Sequence, residues 1–414
     1  MTRPSILLVG LGVVGRAIAQ AHLDANISVT IADQSVEALQ NSIRDFKLDP
    51  AVWSVSEVRL GEAEIMMVDL VHHQDGVSES GVDSHAPRIL IESIAERLQI
   101  KRDFFQRMEG VLDEDWIFCS NTSTLRIGDI AAALSTPSRL CGMHFFMPVD
   151  VRDAVEVIPT KGIREQNLAS VARHVRRLNR SPLVVADAPG FVVNRMLSPY
   201  LNEAMTLLTQ GATAEQIEQA ALQLGMPLSP LELIDLIGSR TMFDAGRVYW
   251  QSFPTRIDPS PMLPALIKAG RGGRFGGGGF YDYCDAQRSA SLSPEAIKIR
   301  DRYTRETTAF AHDQVLLRLC IPMWIEAALL LQDGVAPSLD QVEIAMAGGL
   351  GYSHRGEWFR WFDAIGSETI RSFLNDAQAH SKSLRAPFEL SELLSTHTPT
   401  DAITRFANLA PASP

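Results

Sequence analysis

Two patterns of hydrophobic positions divide the chain. Up to about residue 185, short apolar runs alternate with helical periodicity, and the runs at 5–9 and 27–31 flank a helical stretch at 16–23. A strand, a helix and a second strand within about 30 residues form a βαβ unit, which predicts a parallel sheet. Four further apolar runs predict later strands, at 89–91, 117–119, 140–143 and 183–185. The polar segment 72–87 is rich in turn-forming residues and predicts a loop.

From Asp187 onward the pattern is helical. Apolar positions follow helical spacing in five segments, at 191–210, 213–224, 231–249, 309–333 and 338–346. Strand patterns are few in this part of the chain. A glycine-rich stretch at 271–279, which we expect to be flexible, separates two helical blocks.

The two helical blocks share one pattern. Arg, Pro, Glu and Gly occur in the same order in both, as Arg195, Pro199, Glu203 and Gly211 in the first block and as Arg318, Pro322, Glu326 and Gly334 in the second. Further along, DLIG at 235–238 matches DAIG at 363–366. Two unrelated amphipathic helices would share this order only by chance, so we interpret the blocks as an internal duplication.

Composition and charge narrow the class of protein. The chain has 414 residues, 46% of them hydrophobic and 21% charged, which is typical of a globular protein. A net charge of −11 argues against a nucleic-acid partner, which would favour a basic surface. The four cysteines form no CxxC pair, which disfavours a disulfide framework and a zinc site. Because no apolar run reaches about 18 residues and the start lacks a signal-peptide pattern, we expect a cytoplasmic protein without a membrane partner.

A glycine motif follows the first predicted strand and opens the first predicted helix. Its residues are Gly10, Gly12, Val13, Val14 and Gly15. The glycines permit a tight turn, a close approach of the backbone to a pyrophosphate, and close packing of helix on strand, while the start of the helix offers free N–H groups. Asp33 ends the next strand, where a carboxylate accepts hydrogen bonds from a ribose diol and repels a 2′-phosphate. The motif therefore predicts an NAD site, although the glycines alone also fit FAD.

The candidate proton acceptor is His144, which follows a predicted strand in an apolar, aromatic setting. Histidine suits this role because its pKa lies near neutrality. Glu156 lies between β-branched residues, where a buried carboxylate needs a partner. We expect Glu156 to fix the tautomer of His144 and to stabilise its charged form. Taken alone, such a buried pair is more often structural than catalytic.

Three polar residues lie near these motifs. Asn121 and Ser123 follow a predicted strand near the expected edge of the cofactor site, and Asn194 is an amide in an apolar helix start. Each also has an ordinary interpretation as a cap or turn residue.

The clustered histidines are His72, His73 and His85. They lack acidic or cysteine neighbours at ligand spacing, so we expect no metal.

Together the motifs resemble the L-3-hydroxyacyl-CoA dehydrogenase family. The matching segments follow in order: GLGVVGRAIA at 10–19, SNTSTLRI at 120–127, GMHFFMPV at 142–149, VEVI at 155–158, DAPGFVVNR at 187–195, PLSPLELIDLIG at 227–238 and GGGGFYDY at 276–283. The second block, with GLGYSHRGEWFRWFDAIG at 349–366, resembles the duplicated C-terminal domains of multifunctional fatty-acid oxidation enzymes. The resemblance covers nearly the whole chain, which starts at the dinucleotide fold, without the hydratase/isomerase part of those enzymes.

The resemblance implies an α/β fold with three domains. A Rossmann-type NAD-binding domain is expected at 1–186, followed by two tandem all-α domains at 187–290 and 291–414, similar to the C-terminal domain of 6-phosphogluconate dehydrogenase. Leu317 stands in the second copy where the first has Asn194. The second copy is therefore expected to be degenerate and structural. It could replace the usual dimer contact of the family within one chain, so a monomer or a homodimer is expected.

The resemblance also implies the chemistry. The expected reaction is NAD-dependent oxidation of a (3S)-3-hydroxyacyl-CoA to 3-oxoacyl-CoA, in fatty-acid β-oxidation or in a related acyl or aromatic degradation pathway. The motifs carry over the catalytic histidine as His144, its orienting glutamate as Glu156, the residues that hydrogen-bond the substrate oxygen as Ser123 and Asn194, and cofactor- or substrate-side residues as Glu96 and Lys101.

Some positions depart from the usual sequence of the family. Met147 replaces an asparagine, Asp153 and Ala154 replace lysine and leucine, and Ser229 replaces a glycine. In the family these positions flank the acyl side of the site, so we expect an unusual acyl group that is bulky, branched or polar. Two alternatives remain at this point: a dehydrogenase of a free hydroxy acid or polar alcohol, and a non-enzymatic protein on the same fold.

Overall fold

The computed structural model describes residues 5–58, 66–72, 88–285 and 287–409. The chain forms two compact units, Met1–Asp187 and Ala188–Pro414. This boundary lies one residue after the expected end of the first domain. The division of the second unit at 290 stays a prediction.

The first unit is built around one sheet. Its described strands are β1 (Ile6–Val9), β2 (Val29–Asp33), β3 (Trp53–Val58), β4 (Met66–His72), β5 (Arg88–Glu92), β6 (Trp116–Ser120), β7 (Leu140–Phe145), β8 (Ala154–Pro159) and β9 (Ser181–Val184). Its described helices are α1 (Val13–Asp24), α2 (Val36–Asp45), α3 (Leu98–Val111), α4 (Ile127–Ala131) and α5 (Glu165–Arg177), with a 3₁₀ turn at Pro137–Arg139.

The strand order places the glycine motif, Asp33, Ser123 and His144 at or near the carboxyl ends of parallel strands. The order is β3-β4-β2-β1-β5-β6-β7-β8-β9, and the strands from β2 to β7 in this order run parallel. The predicted Rossmann-type parallel sheet is thus confirmed. Strands β1 and β6 are buried along their whole length, which explains their continuous apolar sequences. Ligands bind such sheets outside the carboxyl ends of the parallel strands.

The sheet is mixed, which the sequence did not predict. Strand β4 runs antiparallel to β2 and β3, and β8 runs antiparallel to β7. The apolar pattern missed β3, β4 and β8 because each contains polar residues, among them Asp69 in β4 and Glu156 in β8. Of the loop predicted at 72–87, His72 ends β4, and the rest lies outside the described residues.

Two buried histidines join α1 to α5. Nδ1 of His22 donates to the carbonyl of Ile18 at 2.8 Å, so its Nε2 accepts from Nε2 of His174 at 3.0 Å. In this arrangement His22 is neutral, because its Nε2 must keep a lone pair to accept the hydrogen bond. Burial lowers the pKa of His22 from its ordinary 6.5 to about 4, and burial also lowers the pKa of His174.

The pair predicts a loss of stability in mild acid. The unfolded chain takes up a proton on His22 below about pH 6.5, whereas the folded chain does so only near pH 4, so stability falls as pH drops through this window. The shift corresponds to about 3 kcal/mol lost between pH 7 and pH 4. Urea unfolding at each pH measures it, with the double variant His22→Leu and His174→Leu as control. Equal pH dependence of wild type and double variant would contradict this assignment.

The second unit is mainly helical. Its described helices are α6 (Val193–Thr209), α7 (Ala214–Leu224), α8 (Pro230–Ile237), α9 (Ser239–Ser252), α10 (Met262–Lys268), α11 (Pro294–Tyr303), α12 (His312–Gln332), α13 (Leu339–Ile344), α14 (Trp358–Ile365), α15 (Ser367–Ala377), α16 (Phe388–Leu393) and α17 (Pro399–Ala407), with a π-helix at Ala345–Leu350 and a 3₁₀ turn at Lys382–Leu384. Two strands, β10 (Tyr281–Cys284) and β11 (Gln287–Leu292), pair antiparallel. The expected helical architecture is confirmed, with this small sheet as an exception.

The glycine-rich stretch at 271–279 leads into a turn that is hydrogen-bonded to α8, and its expected flexibility stays a prediction. The Asp235 carboxylate in α8 accepts the N–H groups of Phe280 at 2.7 Å and Tyr281 at 2.9 Å. A Cβ atom on Gly279 would lie 1.8 Å from that carboxylate, so only glycine lets the chain approach it. The glycines therefore serve close packing against α8.

Reciprocal ion pairs join the two helical blocks and support the duplication. Helices α6 and α12 pack together. Nε of Arg195 donates to Glu326 at 2.5 Å, and Nε of Arg318 donates to Glu203 at 2.5 Å. Each block thus gives its arginine to the glutamate of the other, the relation expected across a two-fold axis. The blocks pair with each other inside one unit.

The backbone repeats as well. Helices α8 and α14 each have eight residues, and each ends at a glycine with nearly the same geometry, φ 99° and ψ 133° at Gly238 and φ 86° and ψ 147° at Gly366. A second helix starts directly after each glycine. The matching DLIG and DAIG segments therefore encode the same helix–glycine–helix corner.

Helix α12 is the one described helix with the length and hydropathy of a membrane span. Of its apolar stretch, 78% is buried inside the structure. Arg318 and Glu326, in the interior of this helix, are both engaged in the reciprocal pairs. This is the pattern of a core helix in a helical domain.

Candidate active site

Strand pairing brings the predicted histidine and glutamate together. His144 on β7 lies directly opposite Glu156 on β8, so both side chains point to the same face of the sheet. Nδ1 of His144 lies 2.7 Å from Oε2 of Glu156. Glu156 is fully buried, and His144 is 4% exposed. The antiparallel register, which the sequence did not reveal, creates the pair.

The hydrogen bonds define which nitrogen can act as a base. A carboxylate accepts only, so Nδ1 of His144 carries the proton that faces Glu156. The lone pair of Nε2 then faces the hydroxyl of Ser123 at 3.1 Å. An imidazole held in this way can take up a proton at Nε2 while the carboxylate stabilises the resulting cation.

The segment that carries Ser123 is held by Glu96. One oxygen of this carboxylate accepts hydrogen bonds from four donors of the segment: the hydroxyl of Thr122 at 2.7 Å, the N–H of Ser123 at 3.0 Å, the N–H of Thr124 at 2.9 Å and the hydroxyl of Thr124 at 2.7 Å. Glu96 therefore fixes the backbone on both sides of the Ser123 side chain. Its predicted contact with the cofactor or substrate stays a prediction.

A buried cation balances this carboxylate. Burial acts to raise the pKa of Glu96, but the charge of Lys101 and the hydrogen bonds from Thr122 and Thr124 outweigh it and hold the pKa below its ordinary value. Nζ of Lys101 lies 3.4 Å from Glu96 and donates to Glu92 at 2.5 Å. Lys101 is only 1% exposed, so it acts through its two glutamates. A direct role of Lys101 in binding stays a prediction.

Asn121 connects the ends of three neighbouring strands. Its side-chain oxygen accepts the N–H of Phe145 at 2.9 Å, and its amide nitrogen donates to the hydroxyl of Ser93 at 3.2 Å. Its own N–H donates to the carbonyl of Glu92 at 2.8 Å. These bonds align the ends of β5, β6 and β7, while its predicted cofactor contact stays a prediction.

Asn194 lies in the second unit, in the first turn of α6. The other three predicted catalytic residues lie in the first unit. The residues before α6 include Gly190, at φ 74°, and Phe191, at φ 48°. The role of Asn194 at the substrate oxygen stays a prediction.

The glycine motif forms the expected strand-to-helix turn. Gly10 has φ 97°, and a Cβ atom on Gly15 would lie 1.8 Å from the carbonyl of Gly10, so both positions require glycine. Gly12 precedes α1 without a side-chain cap, and a Cβ atom there would meet nothing within 4 Å. Val13 is 66% exposed, and Val14 packs against the core. The open backbone at this helix start fits a pyrophosphate.

Asp33 lies beside the glycine motif, as predicted. Its Oδ2 accepts the N–H of Leu11 at 2.7 Å, and its Oδ1 accepts the N–H of Ser35 at 2.8 Å. A carboxylate oxygen has two lone pairs, so each can still accept a hydroxyl proton of a ribose. The residues present therefore fit NAD.

Asp33 predicts a strong preference for NAD over NADP. Removal of its charge in Asp33→Asn is expected to raise the ratio of kcat/KM for NADP to that for NAD by roughly tenfold or more, because a like charge would no longer face the 2′-phosphate. Initial rates with both cofactors give the ratio. Asp24→Asn at the far end of α1 removes an equal charge and serves as control. An unchanged ratio would exclude Asp33 as the selecting residue.

Two residues of the site were not found from the sequence. Glu92 ends β5 fully buried, where it accepts from Ser120 at 2.7 Å as well as from Lys101. Asp187 accepts the N–H groups of Ile127 at 2.9 Å and Gly128 at 2.7 Å, and so caps α4. Glu92 could have been identified from the sequence, because it is an acidic residue at the end of a predicted apolar strand.

Comparison with known proteins agrees with the resemblance. The model of the 3-hydroxyacyl-CoA dehydrogenase NAD-binding domain matches residues 5–188, and the model of the 3-hydroxyacyl-CoA dehydrogenase C-terminal domain matches residues 190–283. The matched ranges include all the predicted site residues.

Solved structures of similar fold cover either most of the chain or about two thirds of it. 3-Hydroxybutyryl-CoA dehydrogenase from Escherichia coli aligns with 98% of this chain and 99% of its own, at 23% identity and a TM-score of 0.72. The dehydrogenase part of multifunctional enzyme 1 from C. elegans aligns with 97% of this chain and 89% of its own, at 20% identity and a TM-score of 0.59. (S)-3-Hydroxybutyryl-CoA dehydrogenase from Ralstonia eutropha aligns with 68% of this chain and 100% of its own, at 29% identity and a TM-score of 0.55.

Proposed function

Because the chain belongs to the 3-hydroxyacyl-CoA dehydrogenase family, we propose that it oxidises the hydroxyl group of a (3S)-3-hydroxyacyl-CoA to the 3-oxo group with NAD. The observation that carries this proposal is His144, held between Glu156 at 2.7 Å and Ser123 at 3.1 Å at the ligand-binding edge of the sheet. A place in β-oxidation or a related degradation pathway, and a cytoplasmic location, belong to the same proposal.

The residues divide the proton chemistry among them. Nε2 of His144 accepts the proton of the 3-hydroxyl, and Glu156 stabilises the imidazolium that forms. The hydroxyl of Ser123 donates to the reacting oxygen, and the resemblance assigns a second hydrogen bond to Asn194. Bound NAD would supply the acceptor for the hydride that leaves C3. Because Glu96 fixes the backbone at Ser123, the donor is positioned before the substrate arrives.

A substrate panel tests the proposal. Purified protein is mixed with NAD and a series of 3-hydroxyacyl-CoA thioesters that differ in chain length and branching, and NADH formation is followed by absorbance. Turnover of one or more thioesters is expected, with at least tenfold lower kcat/KM for the corresponding free 3-hydroxy acids. Turnover of free acids or polar alcohols without any thioester turnover would replace the proposal by the alternative of a free hydroxy-acid dehydrogenase.

A further inference from the structure

Arg152 lies in the segment that joins the two strands of the candidate site. This segment connects β7, which carries His144, to β8, which carries Glu156, and it lies at the carboxyl end of β7. The N–H of Arg152 donates to the carbonyl of Pro148 at 3.0 Å, which fixes the turn. Arg152 is only 7% exposed, so its long cationic side chain is largely buried, and its backbone follows the carboxyl end of β7, the end of a parallel sheet at which ligands bind.

Among the described residues, the guanidinium of Arg152 has no hydrogen-bond acceptor or ion-pair partner of the kind that the other buried arginines have. Four arginines are buried among the described residues. Arg139 donates to three backbone carbonyls, and Arg195 and Arg318 pair with buried glutamates. For Arg152 the described residues provide no side-chain hydrogen bond or ion pair, and its Nε is buried without an acceptor.

A buried cation whose Nε has no acceptor is costly, and an anionic partner would reduce this cost. Burial lowers the pKa of Arg152, and the adjacent Asp153 opposes this only in part. A ligand that brings an anionic group to Arg152 would supply the missing partner. A purely apolar group would leave this cation without a partner and would gain nothing from it.

The strand order argues against the cofactor as the source of that anion. The glycine motif that fits the pyrophosphate follows β1, whereas Arg152 follows β7, three strands further along the sheet. At about 4.8 Å per strand this separates the two by about 14 Å in the sheet direction. The reacting carbon of the substrate, by contrast, must lie next to His144, on the strand from which the Arg152 segment starts.

We propose that Arg152 pairs with a carboxylate of the substrate, so that the preferred substrate is an acidic hydroxyacyl compound rather than one with a plain hydrocarbon chain. This inference rests on the proposed function and specifies its acyl group. The carboxylate can stand at the far end of a 3-hydroxyacyl-CoA chain, or it can be that of a free hydroxy acid, and the experiment distinguishes these two sources.

The test compares substrates of equal length. 3-Hydroxyhexanoyl-CoA is paired with the same thioester in which a carboxylate replaces the terminal methyl group, and free 3-hydroxyhexanoate forms a third arm. We expect kcat/KM of wild type to be at least tenfold higher for the acidic thioester than for the neutral one. In Arg152→Met this ratio should fall by about 10–100-fold, with the neutral thioester changed less than threefold. Arg152→Lys, which keeps the charge, should retain part of the preference.

Two controls separate specificity from folding. Arg173→Met removes an exposed charge from α5 and should leave the ratio unchanged. The thermal midpoint of Arg152→Met should equal or exceed that of wild type, because the change removes an unpaired buried charge. Calorimetric binding of both thioesters to wild type and to Arg152→Met gives a readout that does not require turnover.

The outcomes are distinct. A ratio that Arg152→Met leaves unchanged, or equal losses on both thioesters, would overturn the inference while leaving the proposed function intact. If wild type oxidises only the free acid, and does so in an Arg152-dependent way, the thioester proposal fails and the carboxylate pairing is supported. If wild type neither binds nor oxidises any of the three compounds, this inference fails, whereas the proposed function is still decided by the full substrate panel.

Discussion

Replacement of His144 by alanine is expected to lower kcat by about 10²–10⁴-fold, the usual contribution of a positioned general base. The reason is geometric: Nε2 of His144 is the one nitrogen of that ring left to take up a proton, because Nδ1 faces Glu156. Water can replace the base only weakly, since the side chain is buried. Steady-state NADH formation with the best thioester of the panel measures the loss.

The binding of NAD should survive this substitution. The glycine motif and Asp33 lie at the ends of β1 and β2, away from β7, so the affinity measured by calorimetry should change less than threefold. His380→Ala, at an exposed histidine of the second unit, is the control for histidine loss. A His144→Ala variant with undiminished kcat would remove His144 from the mechanism.

The second large effect concerns stability. Arg318→Met leaves Glu203 fully buried, with the hydroxyls of Ser381 and Ser383, at 2.9 Å and 3.0 Å, as the remaining donors among the described residues. Breaking a buried ion pair from one side costs about 3–5 kcal/mol, because the remaining charge is uncompensated. Urea unfolding should show a loss of this size. The double variant with Glu203→Leu should recover most of it.

The other reciprocal pair, Arg195 with Glu326, provides a matched control. Arg195→Met removes the arginine that pairs with Glu326, but Arg256 lies 3.5 Å from this carboxylate and Tyr249 donates to it at 2.7 Å. A cation therefore remains near Glu326, and the cost should be smaller than for Arg318→Met. A larger loss for Arg195→Met would show that the two pairs are not balanced in this way.

The sequence predicted the parts of the fold that depend on short-range patterns. The strands at β1, β5 and β6 are continuous apolar runs, and the Gly10–Gly15 motif determines its own turn. The helical periodicity located α6, α7 and α12 within a few residues. The prediction was less accurate where a glycine interrupts the helical periodicity. Gly238 divides the segment at 231–249, which was predicted as one helix, into α8 and α9.

The sequence did not predict which residues distant along the chain contact each other. His144 and Glu156 were predicted as partners from their residue types, but the antiparallel strand register that joins them was not. Glu96 was assigned to the cofactor side by resemblance, whereas its four hydrogen bonds to the Ser123 segment depend on how two loops meet. The unpaired state of Arg152 has no sequence signature at all, since it is the absence of an acceptor in three dimensions.

The reciprocal Arg–Glu pairs have a thermodynamic consequence. Two separate chains that met through such an interface would be held together by mass action and would come apart on dilution. Here α6 and α12 belong to one polypeptide, so their pairing is a unimolecular equilibrium whose effective concentration is set by the connecting chain. The midpoint at which this interface opens should therefore be independent of protein concentration, even at nanomolar levels where an equivalent two-chain interface would dissociate.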